Sequence, residues 1–314
     1  MSSSPISLAT PSHRRDDSAS GFKGGSVPSS IREDGATLER RLREHLIEAI
    51  ERTPLETDPF PYVFIEGCFP KDLYEELLAE LPGDEFYEPL IHKDSVRDDG
   101  TSPRIQASLS EERMPLLPEG RQRDLWTAVT RSNQDDRVKL ALLRKLEPGL
   151  RERHSEPLEQ IEAYSRPALN RDVSGYKILP HPDTKAKVMS GLIYFPRTDA
   201  QRGLGTSLYV PALRALDALR IPGLRPRFRL VKTVPFQANC GLVFAVTKRS
   251  FHGREPLPAG CGARQHVVVT ADRVCPPAIG SKAEQHAALH GLLDRDRVVR
   301  LAELVAEPDD HGHE

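Results

Sequence analysis

The chain has 314 residues, enough for one large or two ordinary domains and for a sizeable buried core. Lys and Arg total 44 against 46 Asp and Glu, a net charge of −2 that offers no chain-wide attraction to nucleic acid or to an anionic membrane. The longest apolar run, 188–195, falls far short of the roughly 20 residues that span a bilayer, and four cysteines without a C-x-x-C pair suit neither a disulfide scaffold nor a cysteine zinc site.

The first residues, Ser2, Ser3, Ser4 and Pro5, lack the basic leader and apolar core of a secretory signal, so a cytoplasmic protein is expected. Residues 1–35 are about half Ser, Gly and Pro and are expected to form a disordered tail. Leu38, Leu42, Leu46 and Ile50 then recur at four-residue steps until Pro54, the apolar stripe of an amphipathic helix. Tyr62, Val63, Phe64 and Ile65 predict a short strand. Pro70 opens a helix carrying Leu73, Leu77, Leu78 and Leu81, closed by Pro82 and Gly83. The polar stretch 92–104 reads as an exposed loop or lid, and 120–165, with Leu125, Trp126, Val129, Leu140, Leu142, Leu143 and Leu146, reads as helical. Residues 36–165 are thus expected to be a helical support layer with a leading strand.

Beyond about residue 170 the texture changes to short β-type runs divided by Gly and Pro, at 176–179, 188–195, 207–210, 228–234, 242–246 and 265–270. Short strands at this spacing indicate a β-sandwich or barrel. A final helix is predicted over 283–306 within the last segment, 277–314. His311 and His313 lie in the polar tail that follows and are read as part of it, not as a metal site. The expected fold class is α+β, a helical layer supporting an antiparallel β-barrel.

Two imidazoles and one carboxylate on one face of a metal hold Fe(II) and leave three coordination positions open. Residues i and i+2 of a strand point to the same side, so an H-x-D pair can supply two of the three ligands from one wall. The spacing occurs three times, as His92 with Asp94, His154 with Glu156 and His181 with Asp183. His92 sits in the polar loop and His154 follows a charged helix. His181 ends a β-type run, with a second one just beyond Asp183. A second imidazole is available from His252, in Phe251-His252-Gly253, after the run at 242–246. Arg264 opens the next run, where a guanidinium can reach inward and make paired, charge-assisted hydrogen bonds to a carboxylate.

In these residues the chain resembles the 2-oxoglutarate and Fe(II)-dependent dioxygenase superfamily, particularly its prolyl-hydroxylase-like branch. The resemblance covers about residues 60–272: the strand and helix from Pro61 to Leu81, the segment from Gly175 and Tyr176 to His181-Pro182-Asp183, and Phe251-His252-Gly253 with Arg264. It implies a double-stranded β-helix, or jelly-roll, core at 166–276. It also implies that His181, Asp183 and His252 hold iron and that Arg264 anchors the distal carboxylate of 2-oxoglutarate, with Tyr194 hydrogen-bonding the same carboxylate. Fe(II) is then the cofactor, with 2-oxoglutarate and O2 as co-substrates, and the implied reaction hydroxylates a small-molecule, amino-acid-like or carrier-bound substrate with release of succinate and CO2. Related halogenases have a small residue where this chain has Asp183, so the carboxylate argues for hydroxylation. Some relatives carry Ser two residues past the Arg; here the position is His266, which alternation sets on the same face as Arg264.

Each residue also has a plainer reading. A lone H-x-D is more often a capped surface turn, a lone His a loop residue, a lone strand-end Arg a solvated charge, and Tyr194 a core aromatic. Tyr176 and Arg171 are read as packing and surface residues, and Lys185 and Lys187 as a solvated loop. Two other functions stay open: a non-catalytic jelly-roll module binding a metabolite or sugar, and an iron oxygenase that does not use 2-oxoglutarate. The substrate loops, expected at 92–104 and 196–205, encode no recognisable ligand, and the oligomeric state is not legible.

Overall fold

The structure is a computed structural model that describes residues 33–90, 97, 99–154, 162–212, 227–273 and 299–300. All of these after Glu33 belong to one compact unit, Asp34–Glu314. Helix α1 (Gly35–Arg52) starts where the Asp34 carboxylate accepts from the Thr37 amide at 2.7 Å, and it buries the stripe Leu38, Leu42, Leu46, Ala49 and Ile50. Strand β1 (Tyr62–Glu66) leads into α2 (Lys71–Ala79), then the short β2 (Glu88–Pro89) and β3 (Arg104–Ser108). Helices α3 (Arg121–Gln134) and α4 (Asp136–Arg153) are separated by Asp135, which caps α4 by accepting from the Arg137 amide.

The remaining strands are β4 (Glu162–Ser165), β5 (Ala168–Asp172), β6 (Ile178–His181), β7 (Lys187–Phe195), β8 (Ser207–Pro211), β9 (Phe228–Thr233), β10 (Cys240–Ala245), β11 (His252–Arg254), β12 (Arg264–Arg273) and β13 (Val299–Arg300). Every described pairing is antiparallel. The larger sheet runs β1-β10-β7-β12-β5-β3-β2, with β4 also on β12 and β13 on β4; the smaller runs β6-β11-β8-β9. The protein therefore combines helices with antiparallel sheet, as expected, in two sheets. No helix among the described residues is long and apolar enough to cross a membrane.

Strand β7 is buried along most of its length because each of its faces meets a different layer. Ile193 and Phe195 face the helices, where Phe195 stacks on Tyr74 with centroids 5.4 Å apart and lies 6.0 Å from the Trp126 ring. Leu192 and Tyr194 face a second apolar layer with Phe60, Tyr62, Leu208, Phe236, Leu242 and Phe244, drawn from both sheets. The site lies in this inter-sheet layer.

Several expectations need correction. Residues 162–165 form β4, not helix, and β3 and β5 were not anticipated. Their runs carry Arg, Gln, Asn and Asp on the inner face, which hides the apolar alternation that marks a half-buried strand. Arg104, assigned to the exposed loop, opens β3 with its side chain 15% exposed. Residues 92–96 and 98 of the predicted loop, and most of the helix predicted at 283–306, lie outside the described residues; Val299 and Arg300, inside that helix, are strand. The loop at 196–205 contains a 3-10 helix, Asp199–Leu204.

Removing the ring that joins sheet to helices tests this packing. Phe195→Ala is expected to lower unfolding free energy by about 3–5 kcal/mol, read from the urea midpoint.

Candidate metal centre

Strand β11 lies against β6 with His252 opposite His181. Gly253 allows the approach, since a Cβ there would lie 2.7 Å from the Ile178 carbonyl oxygen. The two imidazole centroids are 4.6 Å apart, and one ligand atom from each of His181, Asp183 and His252 can be chosen so that all three lie within 4.8 Å of one another. Both rings are oriented by their own chain: Nδ1 of His181 is 2.8 Å from the Leu179 carbonyl oxygen, and Nδ1 of His252 is 3.1 Å from that of Ser250. With Nδ1 donating, the Nε2 of a neutral ring carries the lone pair.

Asp183 lies past the end of β6, so its direction is not set by strand alternation. It is set from β7: Lys187 Nζ donates to Oδ1 at 2.9 Å and Ser190 Oγ donates to Oδ2 at 2.6 Å. Oδ2 is 3.8 Å from His252 Nε2. Burial opposes ionisation of Asp183, but His252, Lys187 and Ser190 outweigh it and hold its pKa at about 2. Burial drives His252 down to about 4, with Asp183 opposing. At pH 7 the site therefore presents an imidazole free to donate a lone pair beside a carboxylate held ionised by Lys187 and Ser190. Two imidazoles and one carboxylate on one side of a common point suit a divalent first-row metal, with positions left open.

Arg264 also faces the inter-sheet layer and is 3% exposed. Its Nε donates to the Leu204 carbonyl at 2.7 Å, one terminal nitrogen to Asp172 Oδ2 at 2.8 Å, and the other reaches Thr206 Oγ1 at 3.4 Å. Asp172 is fully buried and is also gripped by Arg104, through Nε at 2.5 Å and a terminal nitrogen at 2.9 Å. Burial disfavours the Asp172 charge, yet Arg104 foremost, then His266 and Arg264, keep its pKa at about 2. Burial and the Arg264 charge push His266 well below its ordinary range, so it is neutral. Two guanidinium groups thus face one carboxylate, leaving one positive charge in a buried cluster. Tyr194 lies beside it, its ring centroid 5.8 Å from the Arg264 guanidinium carbon and its hydroxyl 2.8 Å from Thr206 Oγ1.

The structure thus brings His181, Asp183 and His252 together and sets Arg264 beside Tyr194. His266 shares the inner face with Arg264, 3.2 Å away through Nδ1. Lys187, read as solvated, instead grips Asp183, and Tyr176 is buried under Arg104, 4.1 Å above its ring. Arg171 pairs with Asp84 and sits over Tyr87. Ser190, Asp172 and Arg104 were missed; alternation along β7, which puts Ser190 on the face of Tyr194, was the available signal for the first.

No protein-family model matches the chain, and no curated protein does. Among solved structures it is similar to a Pseudomonas putida prolyl-4-hydroxylase, at 15% identity and a TM-score of 0.42, covering 76% of this chain and 100% of that one. It is also similar to SnoN, a non-haem α-ketoglutarate-dependent epimerase from nogalamycin biosynthesis, at 14% identity and a TM-score of 0.41 over 76% and 83% of the two chains. A third is an oxidoreductase of the 2OG-Fe(II) oxygenase family from Burkholderia pseudomallei, at 14% identity and a TM-score of 0.38 over 77% and 92%. These likenesses are distant, and the functional reading rests on the side chains of the site.

A neutral buried His252 has a pH signature. Its pKa lies below that of the unfolded chain, so the unfolded state takes up the proton first and stability falls as pH drops from about 6.5 through 4. His252→Asn is expected to flatten the dependence of the urea midpoint across that window; an unchanged slope would count against a buried neutral imidazole.

Proposed function

We propose that the chain is an Fe(II)- and 2-oxoglutarate-dependent dioxygenase that hydroxylates a small-molecule or amino-acid-like substrate. In this reading the two sheets are the walls of a double-stranded β-helix, with 36–165 as its support layer and 166–276 as its core. The observation that carries it is the convergence of His181, Asp183 and His252 with both Nδ1 atoms already engaged, which leaves a ready-made set of donors.

His181 and His252 would hold the metal through Nε2. Asp183 would hold it through an oxygen whose direction Ser190 and Lys187 fix. Bound iron, with 2-oxoglutarate and O2, supplies the oxidising power, leaving succinate and CO2. The chain contributes position and surroundings. The surplus positive charge of Arg104, Asp172 and Arg264 matches one carboxylate, which supports Arg264 as the anchor for the distal end of 2-oxoglutarate. Thr206 Oγ1 and the Tyr194 hydroxyl stand ready as polar neighbours of that group. Leu208 and Phe244, the latter with its ring centroid 4.6 Å from that of His252, line the metal side with apolar surface that excludes water.

Protein loaded anaerobically with Fe(II) and 2-oxoglutarate is expected to develop a weak visible charge-transfer band, and His181→Ala to lose it. Arg264→Ala is expected to weaken 2-oxoglutarate binding tenfold or more, since each charge-assisted hydrogen bond contributes roughly 1.5–3 kcal/mol, while iron still binds. Unchanged 2-oxoglutarate affinity would favour an iron oxygenase with another electron source. Failure to bind stoichiometric iron would favour a non-catalytic binding module.

A further inference from the structure

Across the smaller sheet one row of register partners reads His181, His252, Leu208, Lys232, from β6 through β11 and β8 to β9. Partners in adjacent antiparallel strands present their side chains to the same face. Leu208 is fully buried in the inter-sheet layer, so Lys232 leaves β9 toward that same layer, its backbone two strand spacings, about 10 Å, from that of His252. Its ammonium nitrogen ends 3.0 Å from the Tyr62 hydroxyl of the opposite sheet and 5.6 Å from the centre of that ring. Among the described residues Lys232 forms no ion pair, and it remains exposed. Glu56 and Asp58 act on it only from beyond the 4.0 Å of an ion pair.

A run of buried aromatic rings packs between Tyr62 and His252. Tyr62 lies 6.2 Å from Phe60, Phe60 5.7 Å from Phe244, and Phe244 4.6 Å from His252. A lysine with one donor on Tyr62 keeps two for an anion.

We infer that Lys232 and the Tyr62 hydroxyl form an anion-binding subsite, so that the substrate carries a carboxylate or phosphate on an apolar body. The inference rests on the dioxygenase reading for calling the occupant a substrate, but the subsite itself needs no metal.

The test titrates phenyl phosphate and phenylacetate, with neutral 2-phenylethanol as reference, into the full chain by calorimetry, first metal-free and then with Fe(II) and 2-oxoglutarate. The anions are expected to bind more tightly than the alcohol. Lys232→Met should weaken them about tenfold and leave the alcohol unchanged, Lys232→Arg should retain most of the affinity, and Tyr62→Phe should weaken it severalfold. Preference for phosphate over carboxylate, or the reverse, names the group the subsite favours. Equal affinity for anion and alcohol would overturn the inference, as would anion binding that survives Lys232→Met but disappears in Arg264→Ala. Lys232 is exposed, so the variant is expected to fold, which circular dichroism checks, and Lys232→Gln provides a second removal of the charge. Absence of the charge-transfer band would defeat the dioxygenase reading alone, because the metal-free titration stands independently.

Discussion

The close pairing of β11 with β6 is the constraint on which the site depends. It sets His252 opposite His181, and it requires Gly253, because any side chain there would press on the Ile178 carbonyl. Two imidazoles at that separation repel as cations and attract a metal as neutral bases. Their Nδ1 bonds to the carbonyls of Leu179 and Ser250 orient both rings, and burial holds His252 in the neutral form. The third donor then comes from outside the strand, turned inward by a serine and a lysine of the other sheet.

A buried ion pair alone is weak evidence for stability, because desolvation offsets the attraction. A buried cluster with two guanidinium groups and one carboxylate is weaker still, as it leaves a charge without a partner. Arg104 alone would satisfy Asp172, taking both of its oxygens. Arg264 adds to the pair a second cation, held by the Leu204 carbonyl and by Asp172. A local arrangement that costs stability without an evident structural return is where function is to be sought. Here the result is one surplus positive charge buried between the sheets.

Much of this was legible in the sequence where a regular pattern carried it. The four-residue stripe from Leu38 to Ile50 became a buried helical face, and the apolar runs at 188–195, 207–210 and 242–246 became β7, β8 and β10. His181, Asp183 and His252 were chosen by order and by nearby β-runs, and they converge. The grounds for Asp183 were different from those expected, however, since it stands beyond β6 and owes its direction to Ser190 and Lys187. Polar strands were illegible for a related reason. In β3 and β5 the residues that face the interior are Arg104, Gln106, Asn170 and Asp172, and they satisfy one another: Gln106 donates to Asn170 at 2.8 Å, as Arg104 does to Asp172. Composition alone assigns such runs to loops; only the pairing of one with the other makes burial affordable.

The two sheets divide the chemistry between them. The smaller sheet brings both imidazoles and Lys232, while the larger brings Ser190, Tyr194, Asp172 and Arg264. Few polar contacts join the two sets, so their relative placement falls to the apolar layer between them, in which Tyr62, Phe244 and Leu242 of one sheet pack with Leu208 of the other. Interiors packed at crystal-like density are bistable rather than continuously deformable. A shift large enough to part the imidazoles from Asp183 would therefore have to break that layer's packing as a unit. The same apolar side chains also fix the distance from the cluster of His181, Asp183 and His252 to the buried guanidinium, and so tie the geometry of the candidate site to the stability of the fold.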